Sequence, residues 1–263
     1  MTIELMKLAG RESLAEVDIR GKGHALVYLH GAFGLRWSEP LVAALAKHRT
    51  VIAPHLPGYG RSDGLEAIRS FYDLSVWLDE VLDACGLDEV ELAGHDFGGA
   101  AAAEYAALFR NRVGRLTLLA PYGIWPQGEP LADIFGLTPG SLTKLLFADP
   151  MGEAAQDFNR QYPDKTQQDE AILARRQAMI AAAKLLWPIP DKGLHRRLYR
   201  IKSGTIVVGG AADRMMNRAY IERFASMIQG ASVAMVQSGH MIPQESPAEA
   251  AALIAGVGAA LAA

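Results

Sequence analysis

The chain has 263 residues, half of them hydrophobic, and a formal net charge of −3 with no run of like charges. This length and hydrophobic share suit a single α/β domain with a large core. The balanced charge argues against nucleic acid or an anionic membrane as the main partner. The lone cysteine, Cys85, cannot form an internal disulfide and is expected to be a buried, inert thiol.

Neither end of the sequence carries a targeting or membrane signal. The first residues lack a basic stretch followed by an apolar one, so no signal peptide is expected. The longest apolar run, residues 250–263, is too short to span a bilayer and is predicted to be a helix packed on a sheet. These features predict a cytoplasmic protein without membrane contact.

Apolar runs of strand length alternate with helical patterns along most of the chain. Two antiparallel strands are predicted before residue 21. Later strands are predicted at residues 24–30, 50–54, 89–94, 114–121, 204–210 and 231–237. Helices are predicted at residues 39–47, 71–85, directly after 96, at 220–227 and at the C-terminus. The alternation predicts an α/β fold with a mostly parallel sheet that helices cover on both faces.

The alternation stops between residues 122 and 200. This stretch contains several prolines and long helical patterns, but no strand of the parallel type. We therefore predict a helical cap over residues 122–200. It is inserted into an α/β core that comprises residues 1–121 and 201–263.

Three polar side chains each follow the C-terminal end of a predicted strand. Asp96 lies in Gly-His-Asp-Phe-Gly, where the strand-turn-helix pattern of a nucleophile elbow has serine. Asp213 follows the strand at 204–210, and His240 follows the last strand. Open α/β sheets bind ligands at this edge, and the chain order corresponds to nucleophile, acid and base. The turn after the strand at 114–121 contains no Asp or Glu, so Asp213 has no rival as the acid.

With these landmarks the chain resembles the α/β-hydrolase superfamily, from about residue 21 to its end. Residues 30–34 resemble the loop that supplies an oxyanion donor in that superfamily. Residues 53–63 resemble a Gly-rich family turn, with His55 where aspartate is usual. The resemblance implies an α/β-hydrolase fold with an inserted cap.

An aspartate at the elbow resembles epoxide hydrolases and hydrolytic dehalogenases. A carboxylate is already ionised near neutral pH, so Asp96 is expected to attack a saturated carbon and become an alkyl ester. His240, oriented by Asp213, then activates water against the ester. The backbone N–H groups of Ala32 and Phe97 stabilise the oxyanion in this second step. The first expectation is an epoxide hydrolase that produces diols, with no metal and no cofactor.

The leaving group separates these two families. Dehalogenases hold the halide with side-chain N–H donors, and the corresponding positions here are Phe97 and Ala32, which have none. Epoxide hydrolases need an acid for the opening oxygen, and the cap offers Tyr122, Tyr162 and Tyr199, of which Tyr162 is the best candidate. The His-Gly-Ala-Phe loop differs from the His-Gly-x-Pro loop that is usual in epoxide hydrolases.

An alternative reading comes from the loop and the end of the cap, which resemble serine-nucleophile esterases and carbon–carbon bond hydrolases. On that reading Asp96 replaces the serine and leaves a weak or inactive enzyme. A ligand-binding relative without turnover is a further alternative, although the intact Asp213 and His240 argue against it.

Several aromatic residues are expected to line the substrate pocket. Phe33, Tyr122, Trp125 and Trp187 indicate an apolar pocket. The expected partners are therefore a small apolar organic substrate and water. The sequence leaves open whether the protein forms a homodimer.

Overall fold

The computed structural model describes residues 2–10, 13–126 and 128–256. In this part of the chain, eight strands form one sheet in the order β1-β2-β4-β3-β5-β6-β7-β8. The strands are β1 (Thr2–Lys7), β2 (Leu14–Arg20), β3 (Ala25–Leu29), β4 (Thr50–Pro54), β5 (Val90–His95), β6 (Val113–Leu119), β7 (Gly204–Gly210) and β8 (Ser232–Val236).

One strand of the sheet, β2, runs opposite to both of its neighbours. Strand β2 pairs antiparallel with β1 on one side and with β4 on the other. All the other neighbouring strands are parallel. The predicted α/β fold, with two antiparallel strands followed by a parallel sheet, is therefore confirmed.

Helices connect the parallel strands and build the inserted segment. They are α1 (Glu39–Leu45), α2 (Phe71–Ala84), α3 (Asp96–Leu108), α4 (Pro139–Leu146), α5 (Glu153–Phe158), α6 (Lys165–Leu186), α7 (Arg218–Ser226), α8 (Ile242–Glu245) and α9 (Pro247–Ala255). Side-chain oxygens cap the N-termini of α2, α4, α6 and α7 and accept backbone N–H groups that would otherwise lack a partner. Helix α9 ends at Gly256, whose φ of 79° suits glycine. The rest of the predicted C-terminal helix lies outside the described residues.

The centre of the sheet carries the most deeply buried elements. Residues 26–29 of β3 and 92–95 of β5 are buried, as expected for parallel strands that are covered on both faces. Helix α3 is buried from Asp96 to Ala107 and is rich in alanine and glycine. These small side chains let the helix pack closely on the sheet and place its N-terminus at the C-terminal edge of the strands.

Residues 122–200 contain α4, α5 and α6 and, among those described, no strand. A buried ion pair ties the end of this segment to the core, because Arg197 donates two hydrogen bonds to Glu104 on α3. Lys184 on α6 donates to the carbonyl oxygens of Leu65 and Glu66. The exact boundaries of the cap stay a prediction.

Two further expectations concern Cys85 and the membrane. Cys85 follows the last residue of α2 and is half-buried instead of fully buried, with its thiol 3.6 Å from the sulfur of Met6. Burial raises the pKa of this thiol to about 11, which keeps it in the unreactive protonated form at neutral pH. Over the described ranges, no helix is both long and apolar enough to cross a bilayer.

Candidate active site

Asp96 lies at a tight turn between β5 and α3. Its φ of 55° is rare for a residue with a side chain, and such backbone strain is typical of functional turns. Glycines on either side make the turn sterically possible. A Cβ on Gly94 would lie 2.3 Å from the carbonyl oxygen of Gly98, and a Cβ on Gly98 would lie 2.3 Å from that of Leu29.

The loop after β3 supplies a hydrogen-bond donor to Asp96. The backbone N–H of Ala32 donates to Asp96 Oδ2 over 2.7 Å. The carboxylate also lies close to Gly31, the residue before Ala32, since a Cβ on Gly31 would lie 2.9 Å from Oδ2. One carboxylate oxygen of Asp96 is therefore already bound to a predicted oxyanion donor.

Two buried side chains hold this loop in place. His30 donates from Nδ1 to the carbonyl oxygen of Gly31 over 2.9 Å and accepts at Nε2 from the N–H of Leu56 over 3.1 Å. These two bonds require the neutral ring, and burial correspondingly lowers the pKa of His30 to about 3. The hydroxyl of Tyr59 donates to the carbonyl oxygen of Ala32 over 3.0 Å. The position of the Ala32 N–H thus depends on contacts from the loop after β4.

Asp213 and His240 complete a line of three ionisable side chains. Asp213 Oδ2 accepts a hydrogen bond from His240 Nδ1 over 2.9 Å. Its other oxygen accepts from the backbone N–H groups of Met215 and Met216 over 2.8 and 2.9 Å. On the far side of the ring, His240 Nε2 lies 3.4 Å from Asp96 Oδ1, an ion-pair distance without hydrogen-bond geometry.

These three side chains are almost inaccessible to solvent, with residue exposures of 1% for Asp96, 6% for Asp213 and 0% for His240. Burial alone would lower the pKa of His240, but the charges of Asp213 and Asp96 and the hydrogen bond to Asp213 outweigh it and raise this pKa to about 10. Burial would raise the pKa of Asp96, but the interaction with His240 outweighs it and lowers the pKa. At neutral pH the site therefore holds an imidazolium between two carboxylates.

The cap and the elbow together hold the backbone of His240. The N–H of His240 donates to the carbonyl oxygen of Leu146, the last residue of α4, over 2.8 Å. His95 Nε2 donates to the carbonyl oxygen of His240 over 2.9 Å, and the two rings pack with centroids 5.2 Å apart. Arg214 donates to carbonyl oxygens at and beyond the end of α4, including that of Phe147. The cap therefore contributes to the placement of the predicted base.

Two other predicted site residues lie next to Asp96. Phe97 is the second residue of α3, and its buried ring packs edge-on against Phe71. The backbone N–H of Tyr122 donates to the carbonyl oxygen of Asp96 over 3.2 Å. The Tyr122 hydroxyl is directed at the sulfur of Met215, 3.4 Å away. Burial, with the charge of Asp96, raises the pKa of Tyr122 well above its usual value.

The remaining predicted pocket residues line two cavities or lie at the cap surface. Tyr162 and Phe33 line a cavity of about 250 Å³, and the Tyr162 hydroxyl accepts a hydrogen bond from Arg36. Trp125 and Tyr122 line a small cavity of about 50 Å³. Trp187 is 55% exposed on the cap surface. None of these contacts brings the Tyr162 hydroxyl to Asp96, and the roles of these aromatic residues stay predictions.

The sequence interpretation missed several residues that position the site. Tyr59 lies within the Gly-rich turn at 53–63, which the sequence analysis identified. Nothing in the sequence indicated its hydrogen bond to the carbonyl oxygen of Ala32. The contacts of Leu146 and Arg214 had no signal, because they join the cap to a loop far away in the sequence. Within the described residues, no group of three or more His, Cys, Asp and Glu side chains is arranged to hold a metal ion.

Comparison with protein families agrees with this geometry. Residues 26–253 match the model of the alpha/beta hydrolase family. The chain belongs to the α/β-hydrolase family. An esterase from Exiguobacterium antarcticum has a similar fold, with a TM-score of 0.74 and 20% identity over 97% of this chain and 99% of the esterase.

Two curated relatives illustrate the range of similar proteins. The chain is 31% identical over 260 residues to polyketide synthase ThaQ of Burkholderia thailandensis, covering 92% of this chain but 12% of that protein. It is 29% identical over 224 residues to 2-hydroxy-6-oxo-6-phenylhexa-2,4-dienoate hydrolase of Burkholderia cepacia, covering 74% of this chain and 73% of the hydrolase. The chain spans half or less of the length of several other curated relatives that it matches.

Proposed function

We propose that this protein is a hydrolase of the carbon–carbon bond hydrolase and esterase group, in which Asp96 occupies the position of the serine nucleophile. The similarity to the Burkholderia cepacia dienoate hydrolase and to the esterase supports this group over epoxide hydrolases. On this proposal, serine-type activity on carbonyl substrates is weak in the protein as it stands.

One observation carries the expectation of weak activity. Asp96 Oδ2 occupies the Ala32 N–H, the donor that a substrate carbonyl oxygen would need in a serine-type reaction. A carbonyl group that entered would have to displace a carboxylate and accept negative charge beside it. A serine at this position would leave the Ala32 N–H open and place a hydroxyl near His240.

The same observation favours a second candidate, hydrolysis through an alkyl ester on Asp96. Oδ1 attacks a saturated carbon and displaces its leaving group, while Oδ2 stays on the Ala32 N–H and becomes the ester carbonyl oxygen. Water, deprotonated by His240, then adds to this carbonyl, and its oxyanion forms at a donor that is already in place. The ester bond breaks to release the alcohol and restore the carboxylate.

For this second candidate, an epoxide remains the first substrate to test. Phe97 and Ala32 have no side-chain N–H to hold a halide, which weighs against haloalkanes. The acid that an epoxide needs is less well supported, because the Tyr162 hydroxyl is bound to Arg36. Epoxide hydrolysis therefore ranks behind the carbon–carbon hydrolase and esterase proposal.

A substrate panel on two variants separates the two candidates. We would assay p-nitrophenyl esters, a 6-oxo-dienoate, terminal and aryl epoxides and haloalkanes with the parent, Asp96→Ser and Asp96→Asn. Ester or dienoate hydrolysis that rises in Asp96→Ser supports the first proposal. Epoxide turnover by the parent that is lost in Asp96→Asn supports the second. A parent and serine variant that are both inert to every compound would refute both.

Isotope labelling tests the alkyl ester directly. A single turnover in heavy-oxygen water places label in the Asp96 carboxylate if water attacks the ester carbonyl, and peptide mass spectrometry detects it. His240→Gln should allow alkylation but block hydrolysis, so that the ester accumulates as a mass increase on the intact protein. Label found in the product alone would exclude this ester.

A further inference from the structure

A cavity of about 250 Å³ lies between the loop after Ala32 and the cap helices α5 and α6. One wall is aromatic, formed by Phe33, Trp37 and Phe158, and the ring of Phe158 packs against the other two. Three arginines, Arg36, Arg160 and Arg175, also line the cavity. Its size suits a ligand of about one aromatic ring, since it lies below the range typical of drug-sized sites.

Arg175, on α6, brings a positive charge into this cavity without a matching negative one. Its guanidinium lies over the ring of Phe158, 4.1 Å from the centroid, and donates to the Phe158 carbonyl oxygen over 3.3 Å. Within the described residues it forms no ion pair, although the side chain is half-buried. Burial lowers the pKa of Arg175, the sign expected for a cation that lacks a compensating anion.

Arg36, an exposed residue, adds a second positive charge to the cavity lining. Its guanidinium lies 5.1 Å from the ring centroid of Trp37 and donates to the hydroxyl of Tyr162. No acidic side chain in the described ranges pairs with it. Of the described residues, one carboxylate lines the cavity, that of Asp157, and it is paired with Arg160 over 2.7 Å. The lining therefore has an excess of positive charge beside an apolar wall.

We propose that this cavity binds an organic oxyanion with a flat apolar body, and that Arg36 and Arg175 hold its anionic group. Guanidinium groups match the geometry of carboxylates and phosphates, and the aromatic wall provides a surface for an attached ring. The proposal concerns binding and is independent of which bond, if any, Asp96 cleaves.

Three probes distinguish the chemistry of the ligand. Benzoate carries a carboxylate, phenyl phosphate carries a phosphate, and benzamide has nearly the same shape as benzoate without charge. Binding to the intact protein is measured by calorimetry and by the fluorescence of Trp37, with a Trp37→Phe variant to assign the signal. We expect benzoate or phenyl phosphate to bind and benzamide to bind at least about tenfold more weakly. The tighter of the two anions identifies carboxylate or phosphate as the preferred group.

Variants test whether the anion binds at these arginines. Arg175→Met and Arg36→Met should each weaken binding by about tenfold or more, and Arg175→Lys should restore part of it. Arg176→Met is the matched control, because Arg176 is an exposed neighbour on α6 that does not line the cavity. Circular dichroism verifies the folding of each variant. The proposal would be overturned if benzamide bound as tightly as the anions, or if none of the probes bound. It would also be overturned if the anions still bound to both arginine variants as they do to the parent.

Because the readout is binding, its failure is separate from that of the proposed function. A protein that hydrolyses substrates but binds none of the probes would contradict the cavity assignment alone. An inactive protein that binds benzoate through Arg36 and Arg175 would contradict the hydrolase proposal alone.

Discussion

Three buried charges meet in the candidate site, two carboxylates and one imidazolium. His240 lies between Asp96 and Asp213, and its pKa is raised to about 10, so at neutral pH it carries a proton. A protonated ring cannot accept a proton from water. In the alkyl-ester route, esterification of Asp96 removes one carboxylate charge, which lowers the pKa of His240 and lets it act as a base in the second step.

Removing the charge of Asp96 should therefore lower the pKa of His240. We expect His240 to titrate at a clearly lower pH in Asp96→Asn than in the parent, in which its pKa is raised to about 10. Proton NMR of the histidine ring measures this, with the resonance assigned by its loss in His240→Gln. Equal pKa values for His240 in the parent and in Asp96→Asn would show that the two side chains do not interact.

The same raised pKa links folding stability to pH. The pKa of His240 rises from 6.5 to about 10 on folding, so its stabilising contribution is complete below about pH 6.5 and is lost as the pH rises towards 10. We expect the free energy of unfolding to fall between about pH 7 and about pH 9.5 more steeply in the parent than in His240→Gln. Denaturant titrations at both pH values measure it. Parallel pH dependence in the two proteins would contradict this linkage.

At the scale of elements, helix α3 depends on glycine to approach the sheet. A Cβ on Gly98 would lie 2.3 Å from the backbone oxygen of Leu29, and neither backbone can move easily. We expect Gly98→Ala to destabilise the protein by about 3 kcal/mol or more, as measured by chemical denaturation. Gly140→Ala on α4 is the control, since nothing lies within 4 Å of its Cβ. A mild effect of Gly98→Ala would mean that α3 sits farther from β3.

The connection between cap and core rests on a buried ion pair. Both carboxylate oxygens of Glu104 accept hydrogen bonds from Arg197, and the side chain of Glu104 is 1% exposed. Arg197→Met leaves that carboxylate buried without its partner and should cost about 3 kcal/mol of stability. The exposed pair between Arg218 and Glu222 is the comparison, and Arg218→Met should cost no more than about 0.5 kcal/mol. Similar losses in the two variants would contradict a special role for Arg197.

At the scale of the whole molecule, the burial of the candidate site bears on how a ligand reaches Asp96. The three site residues are at most 6% exposed, and we predict that the cap opens locally to admit a ligand. We expect the backbone N–H groups of β5 to exchange with deuterium most slowly and those of α5 to exchange much faster. Hydrogen exchange followed by mass spectrometry compares the two. Equal protection of α5 and β5 would mean that the cap opens only with global unfolding.

The architecture was largely predictable because a buried parallel strand needs a continuous apolar run. The strand predicted at 204–210 coincides with β7, and the one predicted at 24–30 differs from β3 by one residue at each end. The meeting of Asp96, Asp213 and His240 was predictable for a topological reason. Parallel strands end at the same edge, so residues that follow them come together.

The sequence by itself therefore determined the fold class, the elbow and the three ionisable residues, because these depend on local patterns and on the order of the strands. Only the tertiary structure decided which atoms touch. It placed one oxygen of Asp96 on the Ala32 N–H and directed Arg36 to Tyr162, 126 residues away in the chain. Hydrogen bonds and ion pairs form between side chains that folding brings within about 3 Å of each other, and the spacing of residues along the chain does not encode such distances.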